Sequence, residues 1–175
     1  MRRGIPLSVM LSSLAVLACP ASASAEDTPV TLEVTGGGLG ITVPAGPVDL
    51  GATNVSSSPQ TVTNQLGNVT VTDQRGGTAG WIVTAQAVDF VGPNNSTISV
   101  SAPNSSTYHA PQASVIGSAT VTPSDLSPMY PPGPVQTATA VTGTNSATWN
   151  PTISITVPAN SLAGTYTSTI THSVA

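Results

Sequence analysis

The chain has 175 residues and a formal net charge of −4; only 6% of its residues are charged and 3% are aromatic. An ordinary soluble domain is about 25% charged. The three basic residues are Arg2, Arg3 and Arg75, and there is no lysine, which excludes a nucleic-acid binder that grips phosphates and a polybasic membrane anchor. The length allows one domain, or at most two small ones.

The first elements read as an address. Arg2 and Arg3 form a positive start, Ile5 to Ala18 is an apolar run too short to span a bilayer, and Ala23-Ser24-Ala25 is a small-x-small cleavage signature. A signal peptide over residues 1–25 is expected, leaving residues 26–175 as one secreted domain. Cys19, the only cysteine, falls inside the signal, so no disulfide is expected. A second reading makes residues 16–19 a lipobox with Cys19 lipidated. No later run is long enough for a transmembrane helix.

From residue 30 onward, apolar and hydroxyl residues alternate with period two. Val30-Thr31-Leu32-Glu33-Val34 predicts a strand, Gly36-Gly37-Gly38 a turn, and Leu39-Gly40-Ile41-Thr42-Val43 a second strand. Val69-Thr70-Val71-Thr72 follows, then a turn at Asp73-Gln74-Arg75-Gly76-Gly77 leading into Trp81. Gly92-Pro93-Asn94-Asn95 marks a turn after Phe90, and residues 102–111 read as irregular. Residues 123–134 hold Pro123, Pro128, Pro131, Pro132 and Pro134. They predict a long, partly polyproline-II surface loop, because proline donates no ladder hydrogen bond. Ile153-Ser154-Ile155-Thr156-Val157 is a further strand. No stretch carries a capped 3.6-residue apolar stripe. Each strand offers a Val/Ile/Leu face to a core and a Thr/Ser face to water. The expectation is an all-β antiparallel sandwich of Ig-like or Greek-key type with about seven to nine strands. Its edges lack the lysines that commonly guard against pairing with other chains. Without lysine, a Lys–Asn or Lys–Asp isopeptide staple is impossible.

Motifs for catalysis are missing. There is no Gly-x-Ser-x-Gly elbow, no His-Glu-x-x-His and no cysteine nucleophile in the expected mature chain. His109 and His172 lack metal-ligand spacing. No catalytic residue, cofactor or metal is therefore expected. Trp81 and Trp149 either stack on sugar rings or anchor the core. Trp81 alternates with Val83 and Ala85, which favours the core, whereas Trp149 precedes Asn150-Pro151 near a strand end.

Two segments, residues 69–85 and 157–174, resemble the WxL-type surface domains of Gram-positive bacteria. The first contains Gly80-Trp81-Ile82-Val83; the second contains Gly164-Thr165-Tyr166 and ends in Ile170-Thr171-His172-Ser173-Val174. Family members carry Gly-Trp-x-Leu and, at the C-terminus, Gly-Thr-Tyr-x-x-Thr-Leu-Thr-Trp-x-Leu. Here Val83 and Val174 replace the leucines and His172 replaces the second tryptophan. The resemblance implies secretion, a β-sandwich and non-covalent attachment to cell-wall peptidoglycan. It makes Trp81, Val83, Tyr166, His172 and Val174 the candidate binding motif, to which Trp149 is added on its own account as the tryptophan better placed for exposure. In the family an Asp-x-Arg-Gly turn precedes the Trp strand; Arg75 is expected to fix that turn through an ion pair with Asp73 or Asp89. Parity puts Tyr166, Ile170, His172 and Val174 on one strand face, so a half-buried, hydrogen-bonded His172 is expected. The expected partner is a cell-wall polymer or another surface protein. The alternative is an assembly subunit that associates by β-strand addition, and a secreted hydrolase is a third class.

Overall fold

The alternation resolves into eleven antiparallel strands in a computed structural model that describes residues 28–175. The expected signal peptide and the Cys19 lipobox lie outside those residues. The chain divides into two compact units, Met1–Glu33 and Val34–Ala175, and every strand belongs to the second. The strands are β1 (Leu39–Thr42), β2 (Gln60–Gln65), β3 (Val69–Asp73), β4 (Trp81–Ala87), β5 (Phe90–Val91), β6 (Thr97–Ile98), β7 (Ser106–His109), β8 (Ser114–Pro123), β9 (Gly133–Trp149), β10 (Thr152–Val157) and β11 (Ile170–Val174). The only helical turn among the described residues is a short 3-10 turn at Pro93–Asn95. The second unit is all-β, a sandwich or barrel-like fold with more strands than the seven to nine expected.

The seventeen-residue strand β9 organises it. One side of β9 pairs with β8 along most of its length. Its other side pairs first with β4 and then with β3. Beyond these lie β11 on β4 and β1 on β3. The change of partner falls where the β8–β9 ladder is broken by register shifts at Gly117/Ser118 and Ser118/Thr120. Ala140, Gly143 and Gly117 have positive φ there. Such bulges bend a ladder and increase its twist. After Trp149 the chain passes through Asn150-Pro151 into β10, the centre of a second sheet ordered β2–β10–β7. Asn150 holds the crossing: its Oδ1 accepts the Gly67 N–H at 2.9 Å.

Between these sheets the inward residues of each strand meet. Val69 and Val71 of β3, Trp81, Val83 and Ala85 of β4, and Ile153 and Ile155 of β10 are buried. Each fully buried Val or Ile contributes roughly 1.5–3 kcal/mol. The aromatic anchors are Trp81, Tyr108 and Trp149, at 1%, 0% and 3% exposure.

Four readings of the sequence need correction. Residues 30–34 form no strand, and Val30, Leu32 and Val34 are 88–92% exposed. The reason lies at β3: β1 pairs with it only to Asp73, Gly37 N–H donates to Gln74 O, and the turn after Gln74 then leaves nothing to pair. Residues 102–111 are not irregular throughout, because Ser106–His109 is β7, paired with β10. The proline-rich segment is not simply a surface loop: Met129 is fully buried, and its carbonyl accepts the Ala87 N–H at 3.0 Å. Pro134 belongs to β9, opposite Thr84 beside a register shift; a bulge is where a missing N–H is tolerated.

The bend at Gly117 admits no side chain. Its φ is +88° and a Cβ would run into the Thr144 carbonyl. Gly117→Ala is expected to destabilise the fold by about 1–3 kcal/mol, read as a lower urea midpoint with unchanged m-value.

Candidate functional site

The turn between β3 and β4 is built on one buried carboxylate. Asp73 is 1% exposed. Arg75 Nε donates to its Oδ1 at 2.9 Å, Arg75 Nη2 to its Oδ2 at 3.0 Å, and the Arg75 backbone N–H to Oδ1 at 3.0 Å. The same Nη2 donates to the carbonyls of Ala79 and Gly80, both at 3.0 Å. Asn145 of β9 adds its amide N–H to Asp73 Oδ2 at 3.4 Å and accepts the Trp81 indole N–H at 3.1 Å. The Arg75 hydrogen bonds hold the Asp73 carboxyl below its usual range, against the opposing effect of burial. Asp89 instead accepts the Val100 N–H at 2.9 Å.

A second buried chain joins the two sheets. Trp149 Nε1 donates to Tyr108 Oη at 2.9 Å, and that hydroxyl lies 3.1 Å from His172 Nε2. Burial pushes the Tyr108 phenol up, so it keeps its proton. The hydroxyl oxygen accepts from Trp149, and the His172 tautomer sets which partner of the Tyr108–Nε2 bond donates. His172 Nδ1 is buried and has no partner, so only one ring nitrogen is hydrogen-bonded where both were expected. Burial pushes the imidazole pKa down to about 4.

The remaining motif residues face the same interior. Val83 is fully buried, while Val174 and Tyr166 pack half-buried against the core. The Tyr166 ring occupies the space a Cβ on Gly92 would need, and its hydroxyl donates to Leu162 O at 3.1 Å and accepts from Ser96 at 3.0 Å. The six motif residues therefore line a core, not an opening. Sequence spacing missed one pair: His109 Nδ1 lies 2.8 Å from Asp125 Oδ2 on the surface, with 60% and 54% of the side chains exposed. No hydroxyl is hydrogen-bonded to that ring. No group of three or more His, Cys, Asp or Glu side chains comes together among the described residues.

Shallow relief lies on the outer face of β1–β3–β9–β8. Two shallow hollows of about 260 and 230 Å³ adjoin there and share Thr72 and Gln74. Register explains their chemistry. The row that lines them is Gly40, Thr72, Ser146 and Ile116, while Thr42, Thr70, Thr148 and Ser114 stand opposite one another in the row beside the hollows. Thr70 and Thr148 hydroxyls are 2.9 Å apart and hydrogen-bonded. Gly40 leaves one end of the trough open, and Ile116, 75% exposed, gives the other an aliphatic wall. The one charged group lining it, Asp73, is already held by Arg75. The trough thus offers neutral donors and acceptors beside apolar surface.

Arg75→Ala is expected to lower the melting temperature by leaving Asp73 buried and unpaired, and Asp73→Asn in that background to restore part of the loss. An unchanged melting temperature would overturn this. His172 generates a pH dependence. Its folded value of about 4 lies below its ordinary 6.5, so the unfolded chain takes up the proton first. The stability conferred at neutral pH is lost progressively as pH falls from about 6.5 to about 4, by roughly 3 kcal/mol. Urea unfolding of the wild type and His172→Phe across that range checks it, the variant giving the flatter profile.

Compared with protein-family models, with curated proteins and with solved structures, the chain matches none.

Proposed function

We propose that this is a secreted, non-catalytic surface protein that associates non-covalently with cell-wall polymer. Its contact is the trough on β1–β3–β9–β8. The observation that carries this reading is the in-register hydroxyl face, in which Thr72 and Gln74 join two adjoining hollows. A neutral glycan presents hydroxyl and amide groups and apolar ring faces. Thr, Ser and Gln match the first, and Ile116 the second. An open trough suits a polymer that continues past the site, whereas small-molecule sites are typically enclosed clefts of about 300–1,000 Å³. The resemblance to WxL domains supports secretion and wall association.

A face without free charges predicts binding that ignores salt. On purified cell wall, retention is expected to be equal in low salt and at roughly 1 M salt, where screening extends only about 3 Å. Thr72→Glu, which places an unpaired charge between the hollows, is expected to weaken retention about tenfold or more, equivalent to about 1.4 kcal/mol. Failure to bind at any salt, or loss of binding with salt, would overturn the reading.

A further inference from the structure

Residues 30–34 have the pattern of a strand and lack a strand's surroundings. In an extended strand Val30, Leu32 and Val34 would share one side, yet they are 88%, 92% and 88% exposed and join no ladder. Three large aliphatic side chains in alternation are costly to leave in water, and their period is the one that buries one face of a strand. The same chain carries an unused edge. β8 pairs only with β9, and no backbone hydrogen bond from any other described segment reaches residues 114–118. The later part of β8 is partly capped, since Gln112 Nε2 donates to Val121 O at 2.7 Å. The stretch Ser114–Gly117, ahead of the bulge, has no such cap. It holds no charge and no proline, the devices that normally block an edge. On its inner side Val115 is only partly buried against the core, so the core margin is open there.

We propose that residues 30–34 of one copy add as a strand to the Ser114–Gly117 edge of β8 in a second copy. The backbone N–H and C=O groups of the two segments would satisfy one another. Val30, Leu32 and Val34 would then lie on the inner face and extend the core beyond Val115. Thr31 and Glu33 would face outward beside Ile116. A segment of five residues matches an edge of four that is bounded by a bulge. Donor and acceptor are different surfaces, so the contact is heterologous: reciprocal exchange closes a dimer, and one-way addition makes chains. This does not depend on the wall-polymer reading.

Sedimentation or light scattering of the full chain over a concentration series tests it, with two variants at exposed sites. Leu32→Lys disables the donor and Ile116→Lys guards the acceptor edge. Both positions are exposed, so melting temperatures are expected to stay at the wild-type value. The wild type is expected to self-associate, and each variant to weaken that association about tenfold or more. An equimolar mixture of the variants retains one intact donor and one intact acceptor, so it is expected to form a heterodimer that neither forms alone. A wild type that remains monomeric at high concentration would overturn the proposal. So would association unaffected by both substitutions, or protection of amides 30–34 from hydrogen exchange in the monomer, which would place the segment in its own sheet.

Discussion

The carboxylate of Asp73 is the group on which the geometry of the rest turns. It ends β3, and β4 begins eight residues later; both strands must lie on the same side of β9, one after the other. The chain between them has to leave the ladder, turn and return in register. Arg75 fixes that turn at both ends, through Asp73 and through the carbonyls of Ala79 and Gly80. Asn145 ties the same carboxylate to β9 and to the Trp81 indole. Because Asp73 points inward, its neighbours Thr72 and Gln74 point outward, and these join the two hollows of the trough. The surface proposed to bind glycan is thus the outer side of a buried ion pair.

Scarce charge has consequences at three levels. In local structure, the one Lys or Arg side chain among the described residues is committed to a turn, so none remains to guard an edge. In energetics, the buried carboxylate is retained because it has Arg75, Asn145 and a backbone N–H for partners; a buried carboxylate without partners would cost several kcal/mol. At the surface, the proposed recognition would fall to hydroxyls, amides and aliphatic groups, whose contacts salt barely touches.

Strand parity made much of this fold legible. It separated Val69 and Val71 from Thr70 and Thr72, and it grouped Tyr166, Ile170, His172 and Val174. What escaped it depends on residues distant in sequence. Nothing near Ser106 or Tyr108 announces a strand, since Pro103, Asn104 and Pro111 crowd them; β7 exists because β10 offers a partner. Met129 sits among prolines, yet it fills the core beside Ala87. Residues 30–34 err the other way: their alternation is strong, but a strand needs a neighbour and β3 has ended. The trough was not legible, because its lining row appears only when Gly40, Thr72, Ser146 and Ile116 are brought into register. Asn145 and the His109–Asp125 pair carry no local signal at all.

The placement of the aromatic rings bears on how such a surface works. Both tryptophans are buried and hydrogen-bonded to neighbouring side chains, Trp81 to Asn145 and Trp149 to Tyr108. They hold the sheets together and present no ring face to a sugar. His172, in the slot where the resembled family has tryptophan, joins the same interior through Tyr108. In the proposed reading, recognition without aromatic stacking would rest on hydrogen bonds that each contribute only about 0.5–1.5 kcal/mol net, so a single trough would bind weakly. Copies linked edge to strand would present several troughs to one polymer, and a second contact made from a tethered copy faces a high effective concentration. An unguarded β8 edge and a trough without free charge are thus two outcomes of one composition, and in the proposed assembly the first would multiply contacts that each trough would make weakly alone.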